Sequence, residues 1–225
     1  VDIIFHLAAL PRIVPSFEKP LDTYNAGPLS TINVLEWARH HETPVIYAGS
    51  SSVKGDVYAN PYTFTKWQNE HLLELYNKVF NVPTAICRFY NVYGEHQANE
   101  GSYCNVLGIF ETQYKEGKPL TITGDGEQRR DFTYVGDIVD GLVRCGKSLF
   151  MAEFNRESFE LGNGNNYSIN ELAEAFGDYP KEYIDARPGE MRETLNTDTK
   201  AQKKLGWKPN GNIVRFIKEN YVLSK

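Results

Sequence analysis

The chain has 225 residues, of which 41% are hydrophobic and 24% charged, so a packed core is expected and intrinsic disorder is excluded. Its formal net charge of −5 argues against nucleic acid as the main partner, because a phosphate backbone is bound by a basic surface. This length suits one ordinary domain, or one domain with a small lobe.

Cysteine usage and hydropathy point to a reducing compartment away from membranes. Cys87, Cys104 and Cys145 are widely spaced and form no CxxC pair, which is typical of free thiols. The five histidines do not pair with these cysteines at metal-ligand spacing, so we predict no metal site. No apolar run approaches the ~20 residues that cross a bilayer, and no signal peptide is visible. We therefore expect a cytoplasmic protein with no membrane partner.

The first part of the chain alternates between predicted strands and helices. The apolar run at residues 3–9 predicts a parallel strand that is covered on both faces. Residues 29–41 carry an apolar stripe at helical spacing, and residues 44–52 predict a second buried strand. Residues 61–80 predict a long helix, because Asn60 is a suitable N-cap and a proline occupies the first helical position.

Residues 83–94 predict a third strand, which completes a strand–helix–strand–helix–strand order typical of a doubly wound α/β sheet. Beyond this strand the alternation breaks. Residues 106–117 and 137–150 predict helices, residues 120–135 predict strand and turn, and the remainder predicts a mixed α/β lobe. In such sheets ligands bind outside the carboxyl ends of the strands, so we expect the function to lie along that edge.

Tyr62 and Lys66 are four residues apart and therefore share one face of the predicted long helix. The pattern alone is weak, since any amphipathic helix can produce it. A phenol, whose ordinary pKa is near ~10, acts as a base at neutral pH only if its anion is stabilised. A neighbouring lysine does this through its charge, and Ser50, at the end of the second predicted strand, can do it through a hydrogen bond. These are the groups needed to take a proton from an alcohol while a hydride leaves its carbon.

Eight phrases, in order along almost the entire chain, resemble the extended short-chain dehydrogenase/reductase family. Within that family the resemblance is to the nucleotide-sugar epimerases and dehydratases. Each phrase alone is moderate evidence, but eight in sequence are specific. The phrases are DIIFHLAA, YAGSSSVKG, PYTFTK, RFYNVYG, RRDFTYVGDI, LGNG followed by SINELA, RPGEMR and KLGWKP.

The resemblance implies that Ser50, Tyr62 and Lys66 are the catalytic residues and that NAD is the cofactor. Tyr62 is implied as the general base, and Lys66 as the residue that holds the nicotinamide ribose and lowers the pKa of the tyrosine. The residues implied in cofactor binding are Ala8, Ala9, Ser50, Tyr62, Lys66 and Tyr90. The residues implied in substrate binding are Ser51, Ser52, Asn91, Arg130, Arg187 and Glu190.

Arg130 and Arg187 resemble the two arginines that clamp the substrate's diphosphate, a role that suits the planar guanidinium. Glu190 matches an acid that accepts hydrogen bonds from the nucleoside ribose. Two alternatives stay open on the residues alone. Arg130 can pair with Asp131 or Asp137, and Arg187 can form a surface ion pair with Glu190.

The implied fold is a Rossmann-like doubly wound parallel sheet, truncated at its N-terminal side, with a smaller C-terminal mixed α/β lobe for the substrate. We assign residues 1–95 to a partial NAD-binding domain, to which 130–162 return, and assign 96–129 and 163–225 to the substrate lobe. The family's first βαβ unit, with its glycine-rich turn, has no counterpart here. We therefore expect a fragment with an exposed sheet edge.

The residues after Ser50 favour an epimerase. Dehydratases and decarboxylases of the resembled family carry an acid directly after the active-site hydroxyl residue, where this chain has Ser51 and Ser52. We predict a UDP-sugar 4-epimerase of the UDP-glucose type. The alternatives are an ADP-heptose-type 6-epimerase, a nucleotide-sugar 4,6-dehydratase and a non-catalytic sugar-nucleotide-binding fragment. Relatives commonly form homodimers through two long helices, here 29–41 and 61–80.

Overall fold

A computed structural model describes residues 1–186 and 191–223 of the chain. The strands are β1 (Ile4–His6), β2 (Val45–Ser50), β3 (Thr84–Phe89), β4 (Asn91–Tyr93), β5 (Leu120–Thr123), β6 (Arg129–Tyr134), β7 (Glu157–Leu161), β8 (Asn166–Ser168) and β9 (Lys181–Ile184). The α-helices are α1 (Ile13–Glu18), α2 (Pro20–Tyr24), α3 (Ser30–His40), α4 (Pro61–Phe80), α5 (Val106–Lys115), α6 (Val135–Phe150), α7 (Ile169–Glu174), α8 (Lys200–Leu205) and α9 (Ile213–Ile217). Two π-helical turns, Asn25–Leu29 and Lys218–Val222, and one 3-10 turn, Ser51–Lys54, complete the helical segments.

The chain divides into two compact units. The first unit comprises residues 1–89, 139–161 and 198–208. The second comprises residues 90–138, 162–197 and 209–223 of the described chain.

The first unit is built on a parallel sheet with the strand order β1-β2-β3-β7. β2 is the best-covered strand, since its first five residues are buried, as the apolar run in the sequence requires. Leu35 from α3, Leu73 from α4 and Tyr47 from β2 are fully buried in one core cluster. This arrangement confirms the predicted Rossmann-like α/β fold.

The long helix α4 begins and ends where the sequence predicts. The side chain of Asn60 accepts a hydrogen bond from the backbone N–H of Thr63 at 2.8 Å, and Pro61 occupies the first helical position. At the other end, Asn81 adopts a left-handed conformation with φ 59°, which an asparagine tolerates and which stops the helix. The two caps fix the two ends of the helix, and Tyr62 lies in its first turn.

A network of buried charges ties α4 to the sheet. Arg88 of β3 donates from Nε and Nη2 to the carboxylate of Glu70 on α4, at 2.9 and 2.7 Å, and from Nη1 to Glu160 of β7 at 2.9 Å. Lys54 lies 3.3 Å from the same oxygen of Glu160. Glu70 and Glu160 are almost fully buried, so pairing with Arg88 and Lys54 offsets the cost of burying their negative charges.

The second unit has two small sheets. β4 pairs parallel with β6, β6 pairs antiparallel with β8, and β5 pairs parallel with β9. Leu107, Phe110, Leu120, Ile122 and Leu172 are fully buried in its core. The single strand predicted over residues 83–94 was wrong, because the chain leaves the first sheet after β3 and enters a different sheet as β4.

We expect Arg88→Met to lower the free energy of unfolding by ~3–5 kcal/mol, because the charges of Glu70 and Glu160 lose their main partner while they stay buried. Urea unfolding followed by tryptophan fluorescence measures this. The matched control is Arg215→Met, which removes an exposed ion pair with Glu219 and is expected to lower stability far less. Equal losses in the two variants would contradict a structural role for the network.

Candidate active site

Ser50 is the last residue of β2 and lies at the carboxyl end of the parallel sheet. Its hydroxyl oxygen accepts a hydrogen bond from the backbone N–H of Ser52 at 3.3 Å and lies 3.0 Å from the hydroxyl of Ser52. This local capping begins the 3-10 turn Ser51–Lys54 and fixes the direction of the Ser50 side chain.

The side chain of Ser50 is a hydrogen-bonding neighbour of the Tyr62 phenol that lowers the pKa of this phenol. The backbone N–H of Tyr62 donates to the hydroxyl of Ser16 at 3.2 Å, so the first turn of α4 is also tied to α1. The structure therefore brings together the base and the hydroxyl that the sequence predicts.

The environment of Tyr62 acts on its pKa in both directions. Burial raises the pKa of the phenol above its usual value of 10.0, and this is the largest effect. The hydrogen bond from Ser50 and the positive charge of Arg12 lower it. The sequence pattern pointed to Lys66 as the cation beside this phenol and missed Arg12, whose loop position carries no motif.

Lys66 is buried on the same face of α4. Its ammonium donates to the backbone carbonyl of Ala48 at 2.8 Å and lies 4.9 Å from the centre of the Tyr47 ring. Burial lowers the pKa of Lys66 from 10.5 to about 8, and the nearby charge of Glu70 opposes this shift. Lys66 is thus held against β2, close to the end of the sheet.

Ala8 and Ala9 follow β1 after one intervening residue, Leu7, at the same edge of the sheet, and Ala8 is exposed. The preceding His6 is buried, and its Nε2 lies 2.9 Å from the hydroxyl of Thr31. His6 is therefore a hydrogen-bonded core histidine. Two small side chains at this point leave the backbone open to a ligand.

The other described candidates lie in the second unit. Tyr90 is buried between β3 and β4. The side-chain amide of Asn91 donates to the carbonyl of Asp131 at 3.2 Å and to the hydroxyl of Thr194 at 3.4 Å. Nη1 of Arg130 donates to the carbonyls of Arg129 at 2.8 Å and, more weakly, Arg192 at 3.4 Å.

Asp131 is one of the two acids considered as a partner of Arg130. It is fully buried, and its carboxylate is hydrogen-bonded to backbone N–H groups. Its carboxylate accepts hydrogen bonds from the N–H groups of Asn163, Gly164 and Asn196, at 2.7 to 3.0 Å. Burial raises the pKa of Asp131, while these hydrogen bonds oppose the rise. Arg187 and Glu190 lie outside the described residues.

A cavity of about 270 Å³ lies beside the turn after β5. It is lined by Thr123, Gly124, Asp125, Gln128, Ala186, Met191 and Arg192. Arg192 forms a bidentate pair with the carboxylate of Asp125, at 2.8 and 2.9 Å. The sequence indicated only a glycine turn here, because the residues that line the cavity are far apart along the chain.

A search of residues 1–186 and 191–223 finds no helix with the length and apolar character needed to cross a membrane. The same residues contain no cluster of three His, Cys, Asp or Glu side chains suited to a metal ion.

Comparison with known proteins identifies relatives over nearly the whole chain. The model of the "NAD dependent epimerase/dehydratase family" matches residues 1–149. A UDP-glucuronate 4-epimerase of Thermodesulfobacterium geofontis is 30% identical, and the match covers 100% of this chain and 73% of the relative. UDP-glucuronic acid decarboxylase 2 of Arabidopsis thaliana is 29% identical over 95% of this chain and 51% of that protein.

Among solved structures, a UDP-glucuronic acid 4-epimerase from Bacillus cereus, in complex with UDP-glucuronic acid and NAD, superposes with a TM-score of 0.85. It is 28% identical, and the match covers 98% of this chain and 74% of the solved one. The relatives thus include two epimerases and a decarboxylase.

We expect Lys66 to lose its proton near pH 8. Because the unfolded chain holds this proton up to about 10.5, stability should rise as the pH increases from 8 to 10.5, by up to ~3 kcal/mol. NMR of 13C-labelled lysine measures the pKa, with Lys66→Arg to assign the signal, and urea unfolding measures the stability.

The gain in stability should vanish in Lys66→Met and persist in Lys78→Met, since Lys78 is half exposed. A Lys66 signal that titrates at 10.5 or above would show that its burial does not affect the proton.

Proposed function

Since the chain belongs to the NAD-dependent epimerase/dehydratase family, we propose that it catalyses the 4-epimerisation of a UDP-linked sugar. The observation that carries this proposal is the placement of Ser50 at the carboxyl end of the parallel sheet and of Tyr62 in the first turn of α4, with Lys66 one helical turn further along and bonded to the carbonyl of Ala48 in β2. A base, a hydroxyl and a cation are thereby held at the edge of the sheet where ligands bind.

In this proposal Tyr62 takes the proton of the C4 hydroxyl and returns it after the 4-keto sugar has rotated. Ser50 donates a hydrogen bond to the phenolic oxygen and so orients the base. Bound NAD supplies the hydride acceptor and donor of the family's reactions. The proton on Tyr62 and the hydride both return to the sugar, so neither the protein nor the cofactor changes over one turnover.

The residues present fit the nicotinamide and ribose part of NAD. Lys66 offers ammonium protons, Tyr62 offers a phenolic hydroxyl, and Ala8 is exposed after β1 with a side chain too small to block a ligand. We propose that these residues and Ala9 hold that half of the cofactor, with Tyr90 as a further contact. The ammonium and hydroxyl donors suit the hydroxyl groups of a ribose.

The absence of an acid after Ser50 favours epimerisation over elimination. A dehydratase or a decarboxylase needs a further group to move a second proton or to assist loss of a substituent. Ser51 and Ser52, which follow Ser50, have hydroxyl groups of high pKa and suit sugar binding instead. The ADP-heptose-type 6-epimerase and the 4,6-dehydratase are the enzymatic alternatives.

For the nucleotide, we propose that Arg130 and Asn91 bind the diphosphate, with Arg187 and Glu190 in the roles that the family resemblance implies. The cavity beside β5 supports a nucleotide-binding role for the second unit, because it combines the small residue Gly124 with the polar side chains of Thr123 and Gln128. A non-catalytic sugar-nucleotide binder is the alternative from a different functional class.

We expect Tyr62→Phe to reduce epimerisation of UDP-glucose or UDP-glucuronate at least ~100-fold, because the proton acceptor is lost, while the sugar nucleotide still binds. Proton NMR of the C4 epimers, with NAD added, measures turnover, and calorimetry measures binding. Tyr58→Phe is the control, since Tyr58 is 75% exposed and its hydroxyl is not part of the site.

Three outcomes separate the alternatives. Binding of a UDP-sugar without turnover in the unmodified chain would favour the non-catalytic binder. Elimination or decarboxylation products would favour the other enzyme classes. Retained epimerisation in Tyr62→Phe would remove Tyr62 as the base.

We further propose a cytoplasmic homodimer that associates through α3 and α4. The exposed faces of these helices carry the large apolar side chains of Trp37, Leu75, Val79 and Phe80, which are 40 to 58% exposed. Apolar groups at such density on one face indicate an interface.

Val79→Arg is expected to shift the chain from dimer to monomer in sedimentation velocity, because a charge would be buried between two copies. Phe150→Arg should leave the dimer intact, since Phe150 is an exposed apolar residue at the end of α6 and belongs to neither helix. A monomer for the unmodified chain would contradict the proposal.

A further inference from the structure

Two oppositely charged side chains, Asp125 and Arg192, form part of the lining of the cavity beside β5. Nη1 and Nη2 of Arg192 donate to the two carboxylate oxygens of Asp125 at 2.8 and 2.9 Å. In this bidentate geometry the guanidinium meets the carboxylate edge to edge. Its two flat faces take no part in the pair, because the N–H groups of a guanidinium all lie in its plane. A planar, positively charged group is therefore held in one orientation in the cavity lining.

Both partners of this ion pair have fixed positions. The carbonyl of Arg192 accepts the backbone N–H of Arg129 at 2.9 Å, and the N–H of Thr194 donates to the carbonyl of Arg129 at 3.1 Å. This segment is thus hydrogen-bonded to the first residue of β6. Asp125 lies in the turn after β5, where its carboxylate also accepts the N–H of Glu127 at 2.9 Å. A guanidinium that is ordered in this way loses little freedom when a ligand contacts it, which favours binding.

The pair between Asp125 and Arg192 adds little to the stability of the fold. The side chain of Arg192 is 65% exposed and that of Asp125 is 58% exposed. Water and salt screen ion pairs at such positions, in contrast to the buried pair of Arg88 with Glu70. A role in ligand binding therefore accounts for this fixed geometry better than a role in folding.

The size and the lining of the cavity suit one flat ring rather than a whole sugar nucleotide. Its volume of about 270 Å³ is below the ~300–1,000 Å³ of sites that enclose a complete drug-sized ligand. Gly124 and Ala186 contribute only small groups, and a Cβ added at Gly124 would lie 3.5 Å from the Cβ of Ala186. A side chain at Gly124 would therefore take up space that a ligand can use.

We propose that Arg192 binds the nucleobase of the sugar nucleotide by stacking its guanidinium, which Asp125 holds in one plane, on the face of the ring. This inference rests on the proposed function, in which the second unit binds the nucleotide. Arginine stacks on planar rings through its charge and its delocalised plane, and lysine has no such plane. Stacking uses the face of a base and leaves its polar edge free for other groups of the lining, such as Thr123.

A contact of Arg192 with the diphosphate is the alternative. It is disfavoured because Asp125 already accepts hydrogen bonds from both terminal nitrogens of the guanidinium. The carboxylate would also place a negative charge beside the phosphates. Stacking on a base meets neither obstacle, since it needs no free N–H group and the ring of a uracil is uncharged.

The test is calorimetric titration of the chain with UDP, and with inorganic pyrophosphate as a probe that lacks the base. Arg192→Lys keeps the charge but loses the planar face. We therefore expect its affinity for UDP to fall ~3–10-fold and its affinity for pyrophosphate to stay unchanged. Arg215→Lys, which alters another exposed ion pair, is the matched control and should bind UDP as the unmodified chain does.

Asp125→Asn separates stacking from attraction between charges. An asparagine has a single acceptor oxygen, so the guanidinium is no longer held by two parallel hydrogen bonds, and stacking predicts weaker binding of UDP. If Arg192 instead bound the diphosphate, removal of the neighbouring negative charge would strengthen the binding of both UDP and pyrophosphate. The two interpretations therefore predict changes of opposite sign.

Three results would overturn the proposal. They are an unchanged UDP affinity in Arg192→Lys, an equal loss of UDP and pyrophosphate affinity in that variant, and tighter UDP binding in Asp125→Asn. Each of them leaves the proposed epimerase reaction standing, because the titration needs neither NAD nor turnover, which the Tyr62→Phe measurement tests separately. An unmodified chain that binds no UDP would overturn this inference together with the nucleotide-binding role of the second unit.

Discussion

The long helix α4, which carries Tyr62 and Lys66, is oriented by the charge of Arg88. Glu70 receives two hydrogen bonds from this guanidinium, so the face of α4 that carries Glu70 must point towards the sheet. Tyr62, Lys66 and Glu70 are spaced at four-residue intervals and form one stripe along the helix. By holding Glu70 against β3, Arg88 therefore also directs Lys66 at β2 and Tyr62 at the end of that strand.

Such a stripe is unfavourable for folding, because three groups that prefer water are removed from it. The structure meets this demand differently at each position. Glu70 forms an ion pair with Arg88, Lys66 keeps one hydrogen bond to a carbonyl and has a lowered pKa, and Ser50 lowers the pKa of the Tyr62 phenol. The polar contacts that offset burial become weaker from Glu70 through Lys66 to Tyr62, towards the end of the sheet. There a ligand would supply the remaining hydrogen-bond partners. Functional sites commonly give up stability in this way.

The sequence allowed much of this to be predicted, for identifiable reasons. The ends of α4 were predictable because Asn60 and Pro61 are strong local signals, and the family was predictable from eight ordered phrases, which the family match confirms. The division of residues 83–94 into two strands was not predictable, since both halves have the same apolar pattern and only the pairing partners differ. Arg12 was missed because a positive φ leaves no mark on composition or periodicity.

Each unit also depends on a buried charge that the sequence does not reveal as such. In the first unit Arg88 joins a helix to two strands through two acids, whereas in the second unit Asp131 collects backbone N–H groups from two separate loops. A carboxylate that accepts three backbone hydrogen bonds can remain ionised without a cation. A charge in the interior would otherwise oppose folding. The hydrogen-bond partners of Arg88 and Asp131 are 18 to 72 residues away along the chain. The sequence therefore shows that a charged residue is present but cannot show which residues pair with it.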